Sequence, residues 1–229
     1  MTSPLDDYNR KRNFDRTAEP PGTAAPRDDG AAGGRNGRLR FAVQHHLASR
    51  DHYDLRLEWD GTLLSWAVPK GPSYNPRDKR PAVRVEDHPL DYRTFEGTIP
   101  PGEYGGGTVM LWDAGWWEPL LDVARGLRTG DLTFGLHGHR LKGAWVLVHM
   151  KPKKGERDVN WLLIKEKDDY VRADAGIDGF DTSVRTGRTM DEIARGEDEA
   201  FAANPFDHVD VELAKLVSTA PPGDDWLFE

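Results

Sequence analysis

Gln44-His45-His46-Leu47-Ala48-Ser49-Arg50-Asp51-His52-Tyr53-Asp54-Leu55-Arg56-Leu57-Glu58-Trp59 reads as two β-strands with a turn between them. From Arg50 onward, every second residue is His52, Asp54, Arg56 and Glu58, and the residues between are Tyr53, Leu55, Leu57 and Trp59. Side chains of a strand alternate between its two faces. One face is therefore aromatic and aliphatic, and the other carries an imidazole, two carboxylates and a guanidinium. The run before it, Arg40 to His46, has the same design, with Phe41 and Val43 on one face and Gln44 and His46 on the other. An ordinary solvated sheet face shows Thr, Ser, Lys and Glu. Two His, an Asp and an Arg on one short polar face are the residue types of a metal and phosphate site.

Outward from this pair, the pattern of short strands continues. Asp60-Gly61 is a two-residue hairpin signal leading into Thr62 to Val68. Pro69 and Pro72 end that strand, and Lys70 to Arg80 form a basic loop. Pro81 to His88 reads as a strand with Val83 and Val85 on one face and Arg84, Glu86 and His88 on the other. Further strands are expected over Thr108–Trp112, Leu132–His139, Gly143–Met150 and Asn160–Lys165. A turn is expected at Asp113 to Gly115, a helix within Pro119 to Gly130, and a basic hairpin loop over Lys151–Arg157. Short strands at turn-marked intervals predict a mainly β fold, an antiparallel barrel or sandwich with one or two flanking helices. Residues 1–38 form a charged arm and a Gly/Pro-rich flexible linker. Residues 39–170 are expected to form the β-rich domain, and 171–229 an acidic, partly helical extension. In the extension, Thr189-Met-Asp-Glu192 fits a capping box for a helix ending near Arg195 and Gly196, and a second helix fits Phe206 to Ser218.

Composition narrows the chemistry. The chain has 229 residues, 37% of them hydrophobic and 31% charged, and no cysteine. Disulfides, zinc–thiolate sites and Cys nucleophiles are thereby excluded, in keeping with a reducing cytoplasm. No apolar run approaches the ~18 residues of a membrane span, and the first residues lack the apolar core of a signal peptide. The net charge of −8 is unevenly placed. Residues 171–229 hold 5 Lys and Arg against 14 Asp and Glu, and residues 1–170 hold 26 against 25. A balanced body leaves nucleic acid open as a partner through a local basic patch.

The His46-x5-His52-x-Asp54 constellation, with His88 on another strand, offers nitrogen and oxygen ligands suited to manganese, zinc or iron. Around it stand Arg56, Arg84, and Lys70 and Arg80 at the two ends of the basic loop. Arg grips phosphate through its planar fork, and a metal beside a guanidinium can neutralise different non-bridging oxygens of one phosphoryl group. Gly102-Glu-Tyr-Gly-Gly-Gly107 is followed by no Gly-Lys-Ser/Thr, so it reads as a turn rather than a phosphate loop. The Lys-x-Asp-Gly-x-Arg signature of ATP-dependent ligases is absent. His137, His139 and His149 read as structural or exposed.

These residues carry a resemblance. Gln44 to Glu58, Ser65-Trp-Ala-Val-Pro-Lys70-Gly-Pro, Val85-Glu86-Asp-His88-Pro-Leu-Asp-Tyr92, Phe95-Glu-Gly-Thr-Ile-Pro, Tyr104-Gly-Gly-Gly-Thr-Val, Trp112-Asp-x-Gly-x-Trp117 and Trp161-Leu-Leu-Ile-Lys165 resemble the 3′-phosphoesterase domain of bacterial DNA ligase D in stand-alone form, over about residues 8–170. The resemblance implies a compact antiparallel β-barrel and a manganese-dependent enzyme that removes a 3′-terminal ribonucleoside and then the 3′-phosphate, leaving a 3′-OH for repair by non-homologous end joining. It implies that His46, His52 and Asp54 hold Mn2+ and that Arg56 and His88 contact the scissile phosphate, His88 as a proton donor. Tyr92, Glu86, Gln44, Lys70 and Arg80 would complete the pocket. Arg12 and Glu19 match an N-terminal arm of the family, in which Asn13 stands where an Asp is usual. It also implies a monomer in the bacterial cytoplasm, associated with the nucleoid, meeting DNA 3′ ends of primer-template type alongside Ku and a separate ATP-dependent ligase. Two other readings compete: a non-catalytic DNA-end-binding module, and a non-haem iron oxygenase using His-x-Asp with His139 or His149.

Overall fold

The computed structural model describes residues 3–23, 38–152, 155, 159–197 and 206. Ten strands occur among them: β1 Leu39–Leu47, β2 Asp51–Trp59, β3 Thr62–Val68, β4 Arg80–Arg84, β5 His88–Pro89, β6 Gly97–Ile99, β7 Gly107–Pro119, β8 Asp131–Gly138, β9 Lys142–His149 and β10 Asn160–Lys165. Eight of them run antiparallel in the order β1-β2-β3-β4-β10-β9-β8-β7, and β7 pairs back onto β1 to close a barrel. The mainly β, barrel-forming expectation is met. β5 and β6 lie outside the ring, β5 on β3 and β6 on β7.

The strand alternation dictates the core. Phe41, Val43, Leu55, Leu57, Leu64, Trp66 and Val68 point into the barrel with Trp112, Phe134, Trp145 and Leu163. Trp66, Trp112 and Trp145 are fully buried, so three indoles supply much of the volume that an eight-stranded barrel must fill with side chains. Asp60 and Gly61 both have positive φ, 47° and 79°, the backbone of a type I′ turn, and they bring Trp59 opposite Thr62.

The polar parity of β1 and β2 therefore faces outward, and a second layer covers it. The chain before the barrel contributes helix α1 (Asp6–Arg10), and a 3₁₀ turn spans Leu90–Thr94. Leu5 and Tyr8 of the arm pack with Leu63, Tyr92, Phe95, Ile99 and Val109 in a small core of their own. Asn9 ties the arm's return to its helix: its amide donates to the Gly22 carbonyl at 2.9 Å, and its oxygen accepts from the Gly22 N–H at 2.9 Å.

Helix α2 spans Val123–Thr129, shorter than the stretch expected, capped by Asp122 and closed by Gly130 in the left-handed region. The turn expected at Asp113 to Gly115 is not one; these residues lie within β7. Residues 171–197 lie along the barrel. Tyr74 N–H donates to the Ala175 carbonyl at 2.8 Å, and Val184 N–H donates to the Leu111 carbonyl at 2.9 Å. Helix α3 (Met190–Ala194) carries the expected Thr189–Glu192 capping box. The helix expected over Phe206–Ser218 lies outside the described residues except for Phe206, as does most of the Lys151–Arg157 loop. No helix among the described residues is long and apolar enough to cross a membrane.

Candidate active site

On the outer face of the β1–β2 hairpin, His46 stands directly opposite His52, and Gln44 opposite Asp54. Direct cross-strand partners are the closest pairs a sheet offers, so the register itself gathers three candidate ligands. One ligand atom from each of His46, His52 and Asp54 lies within 4.8 Å of the others. His46 Nδ1 is 3.9 Å and His52 Nε2 3.6 Å from the Asp54 carboxylate. The His52 Nδ1–H donates to the Arg50 carbonyl at 2.9 Å, which leaves the Nε2 lone pair turned to Asp54. That is the outer hydrogen bond by which imidazole ligands are oriented. His46 Nε2 is buried with no hydrogen-bond partner. Burial raises the Asp54 carboxyl, but Arg56, His46 and His52 outweigh it and hold it below the usual carboxylate range. Two imidazoles, one with an orphaned nitrogen, and an ionised carboxylate fit a divalent metal.

Arg56 follows on the same face, with 3% of its side chain exposed. Its Nε donates to Gln44 Oε1 at 2.6 Å, Nη1 to Ser65 Oγ at 2.9 Å and Nη2 to Asp54 Oδ2 at 3.0 Å. Its plane lies over the Tyr92 ring, 4.7 Å from the centroid. Fully buried Gln44 is held in turn by the carbonyls of Tyr92 and Phe95, at 3.0 and 2.8 Å. Three of the five guanidinium N–H groups are committed to the protein, and two remain for a ligand.

The arm closes the site from the other side. Arg12 Nε donates to Glu19 at 2.8 Å, Nη1 to Glu86 at 3.1 Å and Nη2 to His88 Nε2 at 3.1 Å. Lys11 donates to the second Glu86 oxygen at 2.9 Å. Tyr92 Oη donates to Glu19 at 3.0 Å. Because guanidinium only donates, His88 Nε2 must carry a lone pair, and its Nδ1–H donates to the Glu86 carbonyl at 2.9 Å. Burial and then the Arg56 and Arg12 charges push His88 well below the usual imidazole range, so it is neutral. Burial also raises Tyr92 well above 10, with Glu19 adding to it.

These groups line one cleft of about 260 Å³, walled by His46, His52, Asp54, Arg56, Glu86, His88, Tyr92, Arg12, Glu19 and Tyr104 among others. Of the residues singled out in the sequence, Gln44 stands behind Arg56 rather than in the cleft. Lys70, Arg80 and Arg84 do not line it. Arg80 pairs with Asp78 at 3.1 Å, and Lys70 is exposed on its loop. β4 ends at Arg84 and the chain turns before β5, so the shared parity expected of Arg84, Glu86 and His88 is broken. Arg84 instead covers Trp66 and pairs with Asp87 at 2.5 Å. Asn13 is exposed, and its oxygen accepts from the Asp15 N–H at 3.2 Å.

Ser65 and Tyr104 were not anticipated. Ser65 is opposite Arg56 in register, and a lone hydroxyl among Leu63, Leu64 and Trp66 was the available signal. Tyr104 is half exposed at the rim of the Gly-rich turn. Neither His139 nor His149 joins the metal-type group; the His149 ring packs tilted against Trp161, with centroids 4.8 Å apart.

A family model described as the DNA Ligase D 3′-phosphoesterase domain matches residues 44–149. The whole chain aligns at 45% identity with the multifunctional non-homologous end joining protein LigD of Pseudomonas aeruginosa, of which it spans 28%. It is 42% identical over 166 residues to the LigD of Mycobacterium tuberculosis and 39% over 170 residues to that of Mycolicibacterium smegmatis, in each case over 72% of this chain and about a fifth of the relative. By these matches, the chain belongs to the DNA ligase D 3′-phosphoesterase family.

Proposed function

We propose that the protein is a manganese-dependent 3′-end-healing enzyme. It hydrolyses the bond to a 3′-terminal ribonucleoside, leaving a 3′-phosphate, and then hydrolyses that phosphate to a 3′-OH. The observation that supports this best is the juxtaposition, in one cleft, of the His46–His52–Asp54 group with two buried guanidinium groups, Arg56 and Arg12. A bound divalent ion would supply Lewis acidity toward one non-bridging oxygen. The two uncommitted N–H groups of Arg56 would take another.

The neutral state of His88 follows from the same arrangement. A phosphate between Arg56 and Arg12 offsets the charges that depress its pKa. Its return toward the ordinary range lets it hold a proton for the leaving oxygen. Glu86 and Glu19 fix Arg12, and Tyr92 supports Arg56 from below. Asn13 makes a backbone contact that an Asp would also make, so the exchange leaves this cleft intact. Lys70 and Arg80 stand where they can meet the nucleic acid only beyond the cleft. The partners in this reading are DNA 3′ ends of primer-template type, presented in the bacterial cytoplasm with Ku and a separate ligase.

The test is a primer-template with one 3′-terminal ribonucleotide and the purified protein. Wild type with manganese should yield the 3′-phosphate and then the 3′-OH product, and His46→Ala and Arg56→Ala should yield neither. The absence of product with every divalent metal would refute the reading. Salt-sensitive end binding without product would identify an end-binding module instead, and iron-dependent 2-oxoglutarate turnover an oxygenase.

A further inference from the structure

β7 has an irregular middle. Val43 pairs with Asp113 and Gln44 with Leu111, so Trp112 is an extra residue and the strand bulges beside Gln44. On its other edge, the pairing of β7 with β6 stops at Val109, opposite Gly97, and its pairing with β8 starts at Gly115, opposite Gly138. Leu111 thus has neither strand as its neighbour there. Its N–H donates to Glu96 Oε2 at 3.0 Å and its carbonyl accepts from Val184 N–H at 2.9 Å. A bulge bends the strand that carries it, and Leu111, held from this gap, is the residue directly opposite Gln44.

The segment that plugs this gap belongs to the extension. Glu96 has a fully buried carboxylate. Its Oε1 accepts from Thr186 Oγ1 at 2.5 Å and from Arg188 Nη2 at 2.9 Å. Arg185 donates to the Thr94 carbonyl at 2.9 Å. Residues 94 to 96 are therefore gripped from the extension side. The residue between, Phe95, offers its carbonyl to Gln44, which receives Arg56.

We propose that Glu96, Thr186 and Arg188 are positioning residues: they hold the Phe95 carbonyl and the β7 bulge so that Gln44 presents Arg56 at the correct angle to a phosphate. The link runs by hydrogen bonds from Thr186 and Arg188 to the Glu96 side chain, through the backbone to the adjacent Phe95 carbonyl, and by hydrogen bonds again to Gln44 and Arg56. It makes residues 183–188, which lie outside the matched family segment 44–149, part of the site's support. The consequence for catalysis rests on the phosphoesterase reading, whereas the consequence for Arg56 does not.

The test uses the full chain labelled with 15N, and reads the Arg56 Nε–H resonance together with processing of the 3′-ribonucleotide primer. In wild type the Nε–H, bonded to Gln44, should exchange slowly with water. Arg188→Ala should speed that exchange at least tenfold and lower kcat/KM roughly tenfold, the scale of one charge-assisted hydrogen bond. The loss should fall on kcat, with metal affinity unchanged, and Arg188→Lys should recover most of it. If Arg188→Ala does not fold, Thr186→Val, which removes one hydroxyl, carries the same expectation with a smaller effect. Unchanged Arg56 exchange in a folded variant would overturn the proposal. Inactive wild type with slow exchange that the variant abolishes would refute the phosphoesterase reading and leave the positioning role standing.

Discussion

His88→Gln should change the fold's response to acid. His88 is 3% exposed, and burial with two guanidinium neighbours keeps it neutral well below its usual range. An unfolded His takes its proton near pH 6.5. Below that pH the unfolded chain binds a proton that the folded one refuses, so stability falls by about 1.4 kcal/mol per pH unit. Between pH 6.5 and 5 the loss is about 2 kcal/mol. Asp113 acts in the opposite sense. Burial raises its carboxyl to about 6 even though the Leu141 and Arg140 N–H groups donate to it. Between pH ~6 and ~4 the folded chain therefore holds the extra proton and gains a similar amount. Asp54 and Glu86 have lowered pKa values; their contribution is present above the unfolded carboxylate range and is lost only below about pH 4. Wild type should thus be nearly flat between pH 6 and 5, while the Gln variant gains stability as pH falls. Gln is the suitable replacement because its amide can donate to the Glu86 carbonyl and its oxygen can accept from Arg12. The assay is urea unfolding of chelator-treated protein from pH 7 to 5, with the midpoint converted through the m value. Parallel curves for the two proteins would show that His88 is not held neutral by its surroundings.

Other consequences can be checked directly. Manganese at a hundredfold excess over its Kd should stabilise the wild type by about 2.7 kcal/mol, seen as a rise in Tm that EDTA reverses and that Asp54→Asn lacks; an equal rise in that variant would remove Asp54 from the metal site. Gly138→Ala should cost about 1–3 kcal/mol, since its Cβ would stand 2.5 Å from Asp113 Oδ2 and 2.7 Å from the Phe41 ring; an unchanged urea midpoint would contradict that crowding. Tyr8→Ala removes a fully buried ring that T-stacks on His88 and Tyr92. It should cost about 3–5 kcal/mol, taken locally, so hydrogen exchange should accelerate over residues 3–23 while the barrel's slow amides are unaffected. Unaltered exchange in the arm would refute its anchoring role.

The strand alternation made much of this legible. Period-two patterning picked out β1 and β2 and separated the core side of each from the side bearing His46, His52, Asp54 and Arg56. What it could not show was that the chemical side is the outside of a closed barrel, since parity distinguishes two faces without saying which one curves inward. Asp113 and Gly115 were misleading for a specific reason. Both are turn formers, but Asp113 is spent on the N–H groups of Arg140 and Leu141, and Gly115 is required because a Cβ there would overlap the His137 carbonyl. Arg84 was misplaced because β4 stops where Arg84 turns to Asp87, a tertiary choice that leaves no mark on periodicity. The packing of residues 171–197 on the barrel was masked by their acidity. The groups that anchor them, Val184, Thr186 and Arg188, are few among many solvated charges.

The pairing that closes the barrel also sets the order in which the site can form. The β1–β2 hairpin is local, with a short turn and few residues to order, and can bring His46 opposite His52 early. Gln44 gains the Tyr92 and Phe95 carbonyls that hold its amide only when a segment 48 to 51 residues further along the chain arrives, and loop closure over that distance delays such contacts. The ligand triad and the phosphate grip are thus separated in time. A folding intermediate with the hairpin formed and the ring open would carry metal ligands but an unsupported Arg56. Metal present during refolding should therefore speed the early phase without shortening the last one.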